Sequence, residues 1–104
     1  MAARFGDMLL EQRRRMGLSI QQVANTIKIR PQIIEFFENG NFASMPPRGY
    51  AQGMISSYAR FLGLNPREVV NAYFDDLMAY ERETSQQGGR FQDAAGYVNS
   101  RSSV

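Results

Sequence analysis

Helix breakers punctuate this chain at close intervals, at Gly17, Pro31, Gly40, Pro46-Pro47, Gly63 and Pro66. Between them the apolar residues recur mostly at helical spacing and no strand signal is evident, so the segments read as short amphipathic helices. A chain cut this way can only build a core by packing several short helices together, which makes the fold class all-α.

The first helix is expected over 5–16, with Phe5, Leu9 and Met16 on its inner stripe and Gly17 as its stop. Ser19 is placed as the N-cap of a second helix, with Gln22 three residues on as its capping-box partner, and Val23, Ala24 and Ile27 form the apolar stripe. Pro31 suits the first turn of a third helix, whose inner residues are Ile34 and Phe37 and which ends at Asn39-Gly40. A loop over 41–47 tucks Phe42 and Met45 against the core, and Pro46-Pro47 blocks further helix until Arg48. The fourth helix runs over about 49–62 and is stopped by Gly63. Asn65, Pro66 and Glu68 are the cap, first residue and capping-box partner of a fifth, which carries Val69, Val70, Tyr73, Phe74 and Leu77 to about Tyr80. Residues 84–104 are rich in Ser, Gln, Gly and Asn, with Phe91, Tyr97 and Val98 scattered through them. So few apolar groups do not offset the entropy of ordering. The expected organisation is a folded domain over 1–82 and a disordered tail or juxtamembrane linker over 83–104.

The 104 residues suffice for one domain, and 43% hydrophobic content is enough for a core. There is no Cys and no His. That removes disulfides, thiolate nucleophiles, the commonest general base and the commonest zinc ligand together. The nearest thing to a catalytic carboxylate pair is Asp75-Asp76, but adjacent helix residues point apart, so both are read as solvated. No catalytic, metal or cofactor site is expected, and the chain is read as a non-enzymatic binding module. No apolar run approaches the ~20 residues that cross a bilayer, the first residues do not form a signal peptide, and the lack of Cys suits the cytoplasm.

Charge narrows the partners less than the isoelectric point suggests. The sequence pI is 9.3, but the net charge is only +2, because nothing in the chain titrates near neutrality. All cations except Lys28 are Arg, which favours bidentate pairing.

The block from Gly17-Leu18-Ser19 to Glu38-Asn39-Gly40 holds two short capped helices joined by a tight turn around Lys28, with the small Ala24 where they would approach closely. This is the spacing of a helix-turn-helix. The block resembles the XRE (phage repressor) family, whose frame is Gly-Leu-Ser, a buried Ala, then Glu-Asn-Gly, and the implied fold is a five-helix, lambda-repressor-like domain. That family often has Gly at the turn position held here by Lys28, so a slightly different turn is expected. The resemblance also implies a partly buried ion pair between Arg13 and Glu38, tying the first helix to the third; the alternative is two solvated charges.

A DNA reader would use the exposed face of the third helix. With Ile34 and Phe37 inward, the outward positions are Arg30, Gln32, Ile33, Glu35 and Phe36. Arg30 and Gln32 suit base edges or phosphates, Lys28, Arg14 and Arg15 suit phosphates, and Ile33, Glu35 and Phe36 do not help. The fourth helix has apolar residues to spare: Ala51, Ile55, Tyr58 and Leu62 form one stripe, and Tyr50, Met54 and Phe61 a second. A second stripe is either covered by the fifth helix or exposed for a partner.

The segments Ile29-Arg30-Pro31, Phe42 with Met45-Pro46, Tyr50-Ala51-Gln52-Gly53 and Ser57-Tyr58-Ala59-Arg60-Phe61-Leu62-Gly63-Leu64 resemble the cytoplasmic domain of the RodZ family over about residues 5–80. That resemblance implies an adaptor that binds the actin-like filament protein MreB in rod-shape control, with a membrane helix following in the longer protein, so that any membrane contact runs through a segment not in this chain. The family's filament contact uses two aromatic residues one turn apart on the fourth helix, which fall here on Tyr50 and Met54; the second is not aromatic in this chain. The expected location is the cytoplasm, at the inner face of the membrane where such a helix follows. Three readings stay open: an adaptor contacting an actin-like filament through Tyr50, Met54 and Phe61; a DNA-binding regulator using Lys28, Arg30, Gln32, Arg14 and Arg15; and a scaffold that self-associates through the fourth helix. The chain is expected to be a monomer or weak dimer.

Overall fold

The structure, a computed structural model, describes residues 4–88, with side-chain surroundings through Ser85. The helices are α1 (Arg4–Arg15), α2 (Ile20–Ile27), α3 (Pro31–Asn39), α4 (Arg48–Phe61) and α5 (Pro66–Gly88), with a 3-10 turn at Phe42–Ser44 between α3 and α4. Residues 4–88 contain no strand.

Local chemistry accounts for most of the boundaries. The Ser19 hydroxyl accepts from the Gln22 backbone N–H at 3.1 Å, and the Gln22 side chain accepts from the Ser19 N–H at 2.8 Å, so the capping box is complete. Asn65 accepts from the backbone N–H of Arg67 and of Glu68 at 3.0 and 3.4 Å. Glu68 makes no return bond among the described residues and is exposed, which leaves its carboxylate to interact with the positive end of α5 instead of completing a box.

Lys28 holds the left-handed conformation (φ 61°, ψ 43°), and its N–H donates to the Ala24 carbonyl at 2.9 Å. The turn therefore has the geometry glycine would give it, imposed on a residue with a Cβ.

α5 runs past Tyr80 and across the boundary expected at 82–83, to Gly88. Glu81 to Gln87 are polar, but they include good helix formers and no breaker. The expected disorder falls mainly on residues beyond Gly88, which lie outside the described residues.

Phe5 and Leu9 of α1, Val23 and Ala24 of α2, Ile34 and Phe37 of α3, Ala51, Ile55 and Tyr58 of α4, and Val69 and Tyr73 of α5 meet in one core. Met16 is not part of it. Because α1 ends at Arg15, the next residue leaves the helical stripe, and Met16 is 45% exposed.

α1 is the element that ties the others together. A Cβ on Gly6 would lie 2.5 Å from the Phe37 carbonyl oxygen and 2.6 Å from that of Glu38, so α1 crosses the end of α3 at a separation only glycine permits. Asp76 on α5 accepts the Phe5 backbone N–H at 2.9 Å, capping α1 from another helix. Asp76 is thus engaged, not simply solvated, while Asp75 is exposed. At its other end α1 donates from the Gln12 amide to the Leu62 carbonyl at 2.9 Å, just past α4. Aromatic contacts complete the attachment of α5: Phe5 meets Tyr73 edge-on at 5.3 Å, and Phe42 stacks on Tyr80 at 5.1 Å.

Candidate functional site

The polar centre of the domain is Glu38, on the last turn of α3 and 4% exposed. A carboxylate there faces the negative end of its own helix and has almost no water, so it needs donors. Arg13 supplies two, from Nε to Oε2 at 2.7 Å and from Nη2 to Oε1 at 2.9 Å. Its remaining Nη1 donates to the Leu18 carbonyl at 2.9 Å. Tyr58 of α4 donates its hydroxyl to Glu38 Oε2.

Burial pushes the Tyr58 phenol well above its ordinary pKa, and the hydrogen bond to Glu38 and its charge push the same way; Arg13 opposes them. The bond to Glu38 holds the Arg13 guanidinium further toward its charged form than usual. The network joins α1, α3 and α4. Arg13 and Glu38 are thus brought together as an ion pair. The Tyr58 hydroxyl was not singled out; its signal was that a tyrosine on a fully buried stripe must find a polar partner.

On α4 the expected apolar surplus contracts. Ala51, Ile55, Tyr58, Ala59 and Leu62 are buried, and Met54 and Phe61 are half-buried and pack against the same core. At 100° per residue both lie at the edge of the buried arc, whereas Tyr50 lies further round. Tyr50 alone of the three stands out, at 71% exposed. The second stripe is therefore one projecting aromatic ring with two half-covered neighbours behind it.

On the helix-turn-helix side, Lys28, Arg30 and Gln32 are exposed, as are Arg14 and Arg15 at the end of α1. None of these four cations has a carboxylate within ion-pair distance among the described residues. Arg14 and Arg15 also sit favourably at the negative end of the α1 dipole. Ile33 does not belong to the outward face: it is half-buried and packs on the core, because α3 is wedged between α1 and α2 and presents a wide buried arc. Phe36 is half-buried as well, so the exposed residues of α3 are Gln32, Glu35 and Asn39.

A third feature, not singled out from the sequence, is an open groove of about 680 Å³ between α4 and α5, bordered by Gly49, Gly53, Arg67, Val70 and Phe74. Among the described residues no cluster of acidic side chains is arranged to hold a metal ion, and no helix is long and apolar enough to cross a membrane.

Comparison with known proteins places these surfaces on a recognised scaffold. A family model described as a helix-turn-helix domain matches residues 8–69. An uncharacterised protein of Haemophilus influenzae is 37% identical over 60 residues, which is 57% of this chain and 20% of that protein. The chain thus spans about a fifth of the length of the relative it matches. No solved structure matches. With α2, the left-handed turn at Lys28 and α3 all inside the matched region, the chain belongs to this helix-turn-helix domain family.

Proposed function

We propose that this helix-turn-helix domain is a non-enzymatic protein-interaction module, a RodZ-like adaptor that contacts an actin-like filament of the MreB type through α4. The observation that carries the reading is the exposure of Tyr50. A tyrosine brings a large apolar ring and a hydroxyl at low entropic cost, which is what protein contact surfaces favour. Here it projects from a helix whose neighbouring turns are fixed by buried Ala51, Ile55 and Tyr58. Met54 and Phe61 give the ring a half-covered apolar shoulder, and the segments around Tyr50 resemble those of the adaptor family. In a longer protein the domain stands at the cytoplasmic face of the membrane, tethered by a segment beyond this chain.

A second reading, DNA binding through the helix-turn-helix, is favoured by Arg14, Arg15, Lys28 and Arg30, which have no ion-pair partner among the described residues, and by exposed Gln32. Against it stand Glu35 on the exposed face of α3 and the low net charge of +2. Co-sedimentation with polymerised MreB-type filaments, in parallel with duplex-DNA titration at several salt concentrations, separates the two. The adaptor reading expects saturable pelleting with filaments and only weak, sequence-independent DNA binding. A steep salt slope with strong preference for one duplex sequence, and no pelleting, would replace it with the DNA reading.

A further inference from the structure

One face of α5 carries a pattern that its own fold covers only in part. In steps of three and four, Arg67, Val70, Phe74, Met78 and Glu81 follow one another along the helix. Arg67 and Glu81 are exposed, Met78 is 59% exposed, and Val70 and Phe74 are half-buried, touching the core on one side and lining the open groove on the other.

The pattern is symmetric about Phe74. Val70 and Met78 lie four residues to either side, and Arg67 and Glu81 lie seven. One end is therefore cationic, the other acidic, and the middle apolar. A stripe of this kind complements itself when two copies run antiparallel, because a two-fold axis at Phe74 sets Arg67 opposite Glu81 of the second copy and Val70 opposite its Met78.

Two further observations agree. Gly49, in the first turn of α4, and Gly53, in its interior, border the groove, although glycine weakens a helix interior such as that at Gly53. A Cβ at either position would meet nothing within 4 Å among the described residues, so no contact with them requires glycine there. A helix laid alongside would use that space. Arg67 has no ion-pair partner among the described residues, and Glu81 has only Arg48 at 3.8 Å, with both side chains more than half exposed, so each is free to exchange for a better partner.

We infer that the chain self-associates as an antiparallel dimer through α5, with Phe74 at the two-fold axis and reciprocal Arg67–Glu81 pairs closing each end. This inference does not depend on the filament reading. Sedimentation equilibrium of the 104-residue chain between roughly 10 µM and 1 mM tests it. The wild type is expected to show a concentration-dependent monomer–dimer equilibrium. Met78→Lys, at an exposed position that leaves the circular dichroism and Tm unchanged, raises the dimer Kd at least roughly tenfold. Arg67→Glu and Glu81→Arg each weaken the dimer, and the two together restore it. A chain that stays monomeric throughout, or a dimer untouched by Met78→Lys and not restored by the charge swap, overturns the inference. So does a dimer lost on Tyr50→Ala while Met78→Lys is silent, since that assigns self-association to α4.

Discussion

Arg13 and Glu38, 25 positions apart, meet in a two-pronged ion pair, Nε to Oε2 at 2.7 Å and Nη2 to Oε1 at 2.9 Å, with only 13% and 4% of the side chains exposed. Glu38 is the last buried residue of α3, so this pair orients the helix-turn-helix relative to α1. Arg13→Ala strands the carboxylate and is expected to cost about 3–5 kcal/mol in urea unfolding. A loss below about half a kcal/mol, the range of exposed pairs, would show that the pair is not buried in solution.

Tyr58 gives the network a pH signature. Its folded-state pKa lies above the unfolded value of 10.0, so its share of stability is fully present below that value and is lost as pH rises beyond it. Tyr73, also raised by burial, contributes in the same direction. Stability is therefore expected to fall on the alkaline side of about pH 10. Tyr58→Phe should lower stability at neutral pH by about 1.5–3 kcal/mol, by removing a hydrogen bond to a charged group, and should flatten the alkaline fall without abolishing it. An identical alkaline slope in wild type and variant would contradict the assignment.

Gly6→Ala inserts a methyl group 2.5 Å from a backbone oxygen. Neither α1 nor the end of α3 can move without disturbing the Arg13–Glu38 pair. The expected cost is about 1–3 kcal/mol, despite alanine's better helix propensity. Thermal unfolding decides: a rise in Tm would mean that the two helices separate freely.

Lys28→Gly is expected to act in the opposite sense. The left-handed turn is already present at φ 61°, and glycine removes its steric cost. A gain of about 0.5–1 kcal/mol is expected, partly offset by the greater freedom of the unfolded chain. A loss of stability would show that the lysine side chain contributes something the turn geometry does not.

What could be read from the sequence was what acts locally. Ser19 with Gln22, Pro31, Gly40 and Asn65 each act within one turn of themselves, so the order and starts of the helices followed from them. The missing parts act at a distance: the tight passage at Gly6, the cap that Asp76 places on Phe5, the hydroxyl that Tyr58 brings to Glu38. Periodicity shows that a residue faces inward but not what it meets there. The same limit explains α4, where helical spacing grouped Tyr50, Met54 and Phe61 as equals, although depth along the buried arc separates them. It also explains the end of α5, where polar composition suggested a stop but no breaker enforces one before Gly88.

The proposed contact lies on α4 and not on the recognition helix, and one comparison of two variants tests that directly. Tyr50→Ala and Arg30→Ala, each confirmed to keep the wild-type Tm, are co-sedimented with polymerised actin-like filaments. Tyr50→Ala is expected to lower the pelleted fraction at least roughly tenfold, as removal of a central aromatic anchor does, and Arg30→Ala to leave it unchanged. Equal pelleting by Tyr50→Ala and wild type, or a loss confined to Arg30→Ala, would contradict the claim that Tyr50 is the contact.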